Sequence, residues 1–525
     1  MAADTAFAPA SAPTIETMLH LRAAVANLAA LPVGSAAALR ELAAGDVGEL
    51  ELTASVLAAD GPDGLLRLQL LLRRLDAAGQ LERGVRAGGR TLARLRPVGR
   101  GRDRMPWTTV LPPAQPVKLS RFAVVRVEDG HLVAQAPRSH AVVELSPEGG
   151  CLLGALARWT TPAELSTAEL STAEASTIQS STIQSSTIEA STGVPGLPAG
   201  TVAAILPLLA DAGLLAPGGP EADTENDAAA QAQWSVPDLW LHSRSRGPLL
   251  NAAYGGAYPM ASRFPPLPAR AEPDNPVPEN TVPDNRVPDN PVPDNPVPGA
   301  GPVIELAVPG EIQDLPLSEA LERRRSTREH DDSAPLTADQ LGELLYRTTR
   351  LRSTFVTSGG QEAADRPYPS GGAAHELEIY PLVTHCDGLE PGLWHYRADE
   401  HRLRLVARPG PVLARMTATS RAACVMDGDP QVVLVIAARF GRVMWKYEAV
   451  AYSLVLKHVG VYMQTVYLVA TAMGLAVCGV GGGDAADFAT ATGLDYYAQG
   501  SVGEMVLGSR PAVPGNGIRL PSAAG

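Results

Sequence analysis

Residues 366–383 read RPYPSGGAAHELEIYPLV, a stiff glycine-containing turn that runs directly into a strand-like segment. Proline rings hold φ at about −65°, so the approach to the turn is rigid. Gly371 and Gly372 have no Cβ and let the backbone come close to a flat ligand. The residues that follow alternate between charged and apolar and predict a strand. By itself the segment fits a ligand-facing loop and equally an ordinary structural turn.

The surrounding residues, 301–525, predict a mixed α+β domain. Ser318 can cap a short helix at 319–325. Thr337 and Gln340 have the spacing of a capping box at the start of a second helix. A long helix is predicted at 447–473, and strands are predicted at 375–383, 392–398, 401–407, 431–438 and 503–508.

One apolar run, VGVYMQTVYLVATAMGLAVCGV at 459–480, is long enough to be weighed as a membrane span. Gln464 and Thr465 lie inside it, and Lys457 and His458 come just before it. A helix that is apolar on all sides also suits a deep core or a dimer interface. We therefore predict one central buried helix and no membrane contact.

The charge balance is acidic, since 43 Lys and Arg face 56 Asp and Glu for a net charge of −13. An acidic chain is a poor general binder of nucleic acid, so nucleic-acid binding is not expected. Four separated cysteines without a CxxC pair favour neither a disulfide framework nor a metal site. The N-terminus shows no secretory pattern, and the prediction is a cytoplasmic protein.

Two repetitive tracts divide the chain. Residues 166–193 repeat a Ser-Thr-x-x-x pentad, and residues 273–298 repeat Pro-Asp/Glu-Asn-x-Val five times. Closely spaced prolines predict an extended acidic spacer, with a proline-rich docking ligand as the alternative. The predicted domains are a winged-helix-like module at 1–110, a second winged-helix-like module at 111–220 with the 166–193 insertion, a linker at 221–300 and the α+β domain at 301–525.

The first module is predicted as two helices over 50–81 and a hairpin that turns at Ala87-Gly88-Gly89. The second begins with strands at 121–127 and 131–137. An arginine cluster lies on both sides of this hairpin turn. Its members are Arg83, Arg86, Arg90, Arg94, Arg96, Arg100, Arg102 and Arg104. The cluster can bind DNA phosphate, hold an acidic peptide segment through Arg–carboxylate pairs and strand addition, or form an ordinary solvated face.

Two more polar groups lie in the α+β domain. Residues 323–328, RRRSTR, combine guanidiniums and hydroxyls at a helix end, the donors that a phosphate monoester needs. Residues 474–484, GLAVCGVGGGD, offer free backbone N–H groups. Their Gly479-x-Gly481 spacing is that of a dinucleotide fingerprint, but that motif must follow a strand and open a helix. Because a helix is predicted before it, no dinucleotide-binding fold is expected.

Together the three groups resemble the nitroreductase superfamily of FMN enzymes. RPYPSGGAAHELEIYPLV closely resembles a segment typical of SagB-type azoline dehydrogenases, and Lys446-Tyr447 resembles the pair which that branch places at its active site. The resemblance covers about residues 317–511. Residues 120–145, SRFAVVRVEDGHLVAQAPRSHAVVEL, also resemble the N-terminal region of long members of the branch.

The resemblance implies an FMN-dependent enzyme with Lys446 as base and Tyr447 assisting. The loop 369–371 would commonly contact the flavin of the partner subunit, so a homodimer is implied. The residues implied to bind FMN are Arg324, Ser326, Arg328, Pro369, Ser370, Gly371, Gln464, Val480, Gly481, Gly482 and Arg510.

The implied reaction oxidises thiazolines or oxazolines in a ribosomally made precursor peptide to thiazoles or oxazoles, as in thiopeptide or azole-peptide biosynthesis. One hydrogen leaves the ring as a proton and the other as a hydride to the flavin. Desolvation can keep a lysine neutral and able to take that proton. A complex with a cyclodehydratase, which makes azolines, is a further expectation.

Two alternatives stay open. An NAD(P)H-dependent nitroreductase acting on small molecules would explain the flavin motifs but not the Lys-Tyr pair or the long N-terminal part. A winged-helix DNA-binding regulator would use the arginine cluster, against an overall charge of −13.

Overall fold

The chain forms two compact units, Met1–Asn251 and Ala252–Gly525, in a computed structural model. The structure describes residues 14–22, 31–98, 111–137, 139, 141–167, 197, 200–216, 219–221, 223–246, 256–270, 301–310, 312 and 314–511. Most of the Ser-Thr tract (168–193), the whole proline repeat at 273–298, and Arg100, Arg102 and Arg104 lie outside the described residues.

The described part of the N-terminal unit is built on an antiparallel seven-stranded sheet in the order β2-β1-β3-β4-β7-β6-β5. Its elements are β1 (Ile15–Leu21), α1 (Val33–Ala44), β2 (Val47–Gly48), α2 (Glu49–Ala77), β3 (Leu81–Ala87), β4 (Arg90–Pro97), β5 (Val124–Glu128), β6 (His131–Gln135), β7 (Ala141–Leu145), α3 (Pro147–Ala155), α4 (Pro162–Thr167), α5 (Thr201–Asp211), α6 (Thr224–Asp227), α7 (Ala229–Ala232) and α8 (Val236–Arg246).

Both hairpins predicted for this unit are confirmed. Gly88 and Gly89 join β3 to β4 with φ values of 54° and 78°, the geometry of a two-residue turn that follows strand twist. Asp129 and Gly130 join β5 to β6, also with positive φ. β4 pairs with β7, so strands from the regions 1–110 and 111–220 belong to one sheet.

The prediction of two helices over 50–81 is confirmed. α2 consists of two helical parts that meet at a kink at Gly61, whose φ of 69° and ψ of −174° are not helical. Pro62 follows, and its missing N–H cannot continue the hydrogen-bond ladder.

The described members of the arginine cluster are paired with carboxylates. Arg94 lies 2.6 Å and Arg86 3.3 Å from Asp46. The other pairs are Arg83 with Asp211 at 2.7 Å, Arg90 with Glu148 at 3.1 Å and Arg96 with Glu144 at 2.8 Å. Because these guanidiniums already have anionic partners within the chain, the pairing favours a structural role over phosphate binding.

The C-terminal unit has a second antiparallel seven-stranded sheet, in the order β15-β16-β14-β11-β12-β13-β8, which confirms the α+β class. Its elements are β8 (Val303–Glu305), α9 (Leu317–Arg323), α10 (Ala338–Thr349), β9 (Ser353–Val356), β10 (Glu362–Asp365), a 3₁₀ turn (Gly371–Ala373), β11 (Leu377–Val383), β12 (Gly392–Arg397), β13 (Arg402–Ala407), α11 (Pro411–Cys424), β14 (Val432–Arg439), α12 (Phe440–Met444), α13 (Ala451–Ala472), β15 (Leu475–Val480), α14 (Ala485–Thr492) and β16 (Gln499–Ser509).

Strands form at all five positions predicted for this unit, and the Thr337–Gln340 capping box is confirmed. The prediction for Ser318 is wrong, since α9 begins after Pro316 and has no side-chain cap. Proline fits there because the first turn of a helix needs no donor from that position.

The run at 459–480 is not one helix. α13 ends at Ala472, Gly474 reverses the chain with a φ of 71°, and the last six residues form β15. The long helix also starts at Ala451, later than predicted, because α12 and a turn come before it. No helix in the described part of the chain is both long and apolar enough to cross a membrane.

α13 is the centre of the C-terminal core. Val455, Val459, Tyr462 and Val466 are buried on one face at helical spacing and pack against the sheet. A Cβ at Gly503 of β16 would lie 2.7 Å from Val459 Cγ1. Glycine at this position therefore allows the helix to approach the sheet closely.

A buried cluster of charged side chains surrounds Glu378 of β11. Glu378 accepts a hydrogen bond from His395 at 3.2 Å and lies 3.8 Å from both Arg366 and Arg439. Burial, the largest influence, would raise the pKa of Glu378, but the His395 hydrogen bond and the two guanidiniums outweigh it and lower the pKa to about 2. The folded unit thus keeps this carboxylate ionised.

Replacing Glu378 by Gln should lower the free energy of unfolding by about 3 kcal/mol, because two buried guanidiniums lose their counter-charge. Denaturant titration of the full chain measures this. Because the folded pKa is depressed, the contribution of Glu378 is present at neutral pH and is lost only as pH falls below about 4 towards 2. Asp365→Asn, in a half-exposed pair with Arg352, is the control and should change stability by less than about 1 kcal/mol. Equal stability of the two variants would contradict the prediction.

Candidate functional site

The predicted Lys-Tyr pair lies against the predicted glycine turn. Lys446 and Tyr447 follow α12, and Lys446 Nζ lies 3.5 Å from Gly372 O. Gly372 has a φ of 62°, and a Cβ there would be 2.5 Å from Lys446 Nζ and 2.5 Å from Tyr447 Oη. Glycine favours this positive φ, and a Cβ at this position would displace the ends of the Lys446 and Tyr447 side chains. The structure therefore brings an amine and a phenol together over one Cα atom.

Burial raises the pKa of Tyr447, and the nearby phenol of Tyr258 raises it further. Tyr447 consequently keeps its proton at neutral pH and can donate a hydrogen bond. Lys446 is partly exposed, so its amine can reach a molecule that enters from solvent.

A histidine and a glutamate that sequence reasoning missed anchor this turn. Gly371 N–H donates to His458 Nε2 at 2.7 Å, so Nε2 must be the unprotonated nitrogen. His458 Nδ1–H then donates to the fully buried Glu376, with Nδ1 and Oε1 2.7 Å apart. Ser370 Oγ accepts from His375 N–H at 3.0 Å and closes the loop. The sequence signal that could have identified this contact was His458 itself, a single histidine on the apolar face of a long helix.

A second group of predicted residues lies farther along α13, around Tyr467. Ser326 Oγ is 2.9 Å from Tyr467 Oη, and the Arg324 guanidinium lies 5.4 Å from the centre of the Tyr467 ring. Gly479 N–H donates to Tyr467 Oη at 2.7 Å. Thr327 N–H donates to Val477 O at 2.9 Å, which holds the RRRSTR segment along the edge of β15.

Arg328 belongs to the same group through a pair of buried cysteines. Cys478 and Cys424 have their sulfurs 4.0 Å apart. The hydrogen bond from Cys424 is the main cause that lowers the pKa of Cys478, and the positive charge of Arg328 lowers it further.

The glycine-rich segment borders a pocket of about 260 Å³. Its lining includes Met463, Val480, Gly481, Gly482 and Glu504. A Cβ at Gly481 or Gly482 would meet no atom within 4 Å, so this backbone is open to a ligand. Burial raises the pKa of Glu504.

The reason given for excluding a dinucleotide fold is wrong, although the exclusion stands. The segment does follow a strand, β15, and it does precede a helix, α14, whose N-terminus is capped by Asp484. However, β15 pairs antiparallel with β16, whereas the dinucleotide motif belongs to a parallel βαβ unit.

The remaining predicted residues have weaker placements. Pro369 is exposed beside Ser370, and Gln464 is exposed on α13 beside Met463. Arg510 is exposed and directly follows Ser509, which accepts a hydrogen bond from Asp331 N–H at 3.2 Å.

The predicted site is thus divided into two groups along α13. His458 anchors the Lys446 group and Tyr467 anchors the Arg324 group, and these nine residues of helix correspond to about 13 Å along the axis. One chain therefore offers an amine–phenol–glycine group at one end of the helix and an arginine–hydroxyl–glycine group at the other.

Two family models match separate parts of the chain. Residues 321–509 match the nitroreductase family, and residues 117–248 match the cyanobactin oxidase ThcOx family. A Methanocaldococcus jannaschii protein named as a nitroreductase is 30% identical over 181 residues, which cover 34% of this chain and 85% of that protein.

Several solved structures are similar to part of this chain. A Ralstonia eutropha nitroreductase is 23% identical and covers 40% of this chain and 90% of its own, with a TM-score of 0.31. The E. coli microcin synthetase McbBCD complex, with truncated pro-MccB17 bound, is 22% identical, covers 38% and 75%, and has a TM-score of 0.31. A Desulfovibrio desulfuricans nitroreductase in complex with FMN is 17% identical, covers 40% and 95%, and has a TM-score of 0.25. On the family match and the archaeal relative, this chain belongs to the nitroreductase family of oxidoreductases.

Proposed function

We propose that the protein is an FMN-dependent dehydrogenase that oxidises thiazolines or oxazolines in a ribosomally made precursor peptide to thiazoles or oxazoles. The observation that carries the proposal is the position of Lys446 Nζ and Tyr447 Oη against Gly372. A nitroreductase of small molecules needs no such base beside the turn. The match of residues 117–248 to an oxidase family supports the same reading.

The residues present fit an FMN. Arg324, Arg328 and Ser326 supply two guanidiniums and a hydroxyl, the donor set for a phosphate monoester. The open backbone of Gly481 and Gly482 leaves room for a flat ring system next to a pocket. When bound, the flavin supplies the two-electron hydride acceptor.

Lys446 is proposed to act as the base. The amine takes the proton from the ring carbon that was the peptide α-carbon, while the adjacent ring carbon loses a hydride. The C–H electron pair left by the proton forms the new C=C bond between these two ring carbons, so the peptide loses two hydrogens per ring. Tyr447, which stays protonated, orients the amine or the substrate ring by hydrogen bonding.

A homodimer would complete the site. In one chain the Gly371 turn and the Arg324 group are about 13 Å apart along α13. We propose that the turn of one subunit, with Lys446 and Tyr447 beside it, faces the flavin held mainly by the other. The precursor peptide would dock on the N-terminal unit, and a cyclodehydratase would supply the azolines.

Replacing Lys446 by Ala should leave flavin bound but lower azole formation by about 10²- to 10⁴-fold, the range lost with a general base. Mass spectrometry of an azoline peptide, which loses about 2 Da per ring oxidised, measures the rate. Lys457→Ala is the control, because Lys457 is exposed on α13. Full activity of the Lys446→Ala variant would discard the assignment.

The similarity to the archaeal nitroreductase favours an alternative activity, the reduction of small nitroaromatic molecules. Assaying the wild-type protein with NADPH and with the azoline peptide separates the two activities. A wild-type protein that oxidises NADPH with a nitroaromatic acceptor, and never converts the azoline peptide, would replace the proposal by a small-molecule nitroreductase.

Arg324→Ala and Arg328→Ala should each weaken FMN binding by about 10- to 100-fold, because each removes a charge-assisted hydrogen bond to phosphate. Fluorescence titration of apoprotein with FMN measures the dissociation constant. The control is Arg323→Ala, since Arg323 is exposed and pairs with Glu319 within α9. Unchanged FMN affinity in both variants would remove the phosphate site from Arg324 and Arg328.

A further inference from the structure

Residues 256–270, predicted as part of a linker, fold onto the C-terminal unit and are here called the strap. Their backbone follows the chain from the end of β14 to Lys446. Tyr258 N–H donates to Lys446 O at 3.0 Å, and Trp445 Nε1–H donates to Phe264 O at 2.8 Å. Arg442 Nη1–H donates to Leu267 O at 2.7 Å. The strap thus lies along the segment that carries Lys446.

Tyr258 is the strap residue that hydrogen-bonds to Lys446 and interacts electrostatically with Tyr447. Its ring meets Trp445 edge-on, with centroids 5.4 Å apart. A Cβ at Gly256 would be 2.8 Å from the Tyr258 ring and 3.2 Å from Lys446 Cγ, and a Cβ at Gly359 would be 2.5 Å from Tyr258 Oη. Two glycines therefore make room for this one phenol.

The backbone of Tyr258 is itself constrained. Its φ of 50° is uncommon for a bulky residue. Such a conformation persists only where the surroundings determine it. The hydrogen bond to Lys446 O, the contact with Trp445 and the space at the two glycines are those surroundings.

We propose that Tyr258 is a positioning residue for Lys446 and Tyr447, so that the strap at the start of the C-terminal unit forms part of the catalytic apparatus. This inference deepens the proposed function and rests on it. The hydrogen bond fixes the Lys446 backbone, and the Tyr258 ring and Lys446 Cγ both border the space that Gly256 leaves open. The amine is thereby directed towards Gly372.

The chain has only three lysines, Lys118, Lys446 and Lys457, which gives a direct readout. Reductive methylation with ¹³C-formaldehyde labels each amine, and the Lys446 signal in the NMR spectrum is identified as the one missing from Lys446→Arg. We expect Tyr258→Ala to shift the Lys446 signal and leave the signals of Lys118 and Lys457 unchanged. Tyr258→Phe, which keeps the ring, should restore the wild-type position.

Activity provides the second readout. Tyr258→Ala should lower kcat for the azoline peptide by at least about tenfold, with KM and FMN content unchanged, as a misplaced base does. Tyr258→Phe should stay within about twofold of wild type. The matched control is Phe264→Ala, because the Phe264 side chain is 51% exposed and only its backbone oxygen is used by Trp445. It should behave as wild type.

An unmoved Lys446 signal in Tyr258→Ala overturns the proposal, and so does an equal loss in Phe264→Ala. If Tyr258→Ala instead loses FMN or fails to fold, Tyr258→Phe decides the question. A displaced Lys446 signal in Tyr258→Phe as well overturns the proposal. If wild-type protein does not oxidise the peptide, the proposed function fails while the NMR signal still reports the position of Lys446.

Discussion

One buried guanidinium ties together the parts of the C-terminal unit that surround Lys446. Arg442 is fully buried and donates from Nε to Ala374 O at 2.7 Å, from Nη1 to Leu267 O at 2.7 Å and from Nη2 to Glu362 O at 2.9 Å. Burial lowers the pKa of Arg442 to about 10, so the charge persists at neutral pH. A buried charge is tolerated only when its hydrogen bonds are made. The turn after Gly372, the strap and β10 are therefore held at fixed positions by the same side chain.

The second constraint is the close packing of α13 on the sheet. Helix and sheet approach at Gly503, and the helix carries His458 near its start and Tyr467 near its end. His458 fixes the Gly371 turn, while Tyr467 links Ser326 to the N–H of Gly479. The core helix thus sets the spacing between the Lys446 group and the Arg324 group. In a flavin enzyme the protein contributes mainly that placement, because the cofactor supplies the redox chemistry.

Local signals in the sequence predicted the strands, the two hairpins and the Thr337–Gln340 capping box, since each depends on neighbouring residues. The run at 459–480 was misassigned because an apolar segment buried on all sides looks alike as helix and as strand. Gly474 was the only marker of the change. Contacts between residues far apart in sequence could not be predicted, because no local pattern links His458 to Glu376. The strap was missed because its composition is that of a linker.

The central claim is that the C-terminal unit holds a flavin which takes electrons directly from an azoline presented to Lys446. The most direct measurement is an anaerobic titration of the purified yellow protein with azoline peptide, followed by absorbance and by mass spectrometry of the same samples. The account predicts that oxidised-flavin absorbance disappears in step with a loss of about 2 Da from one ring per flavin. Protein that is colourless and takes up no FMN, or a flavin that stays oxidised with excess peptide, would contradict it.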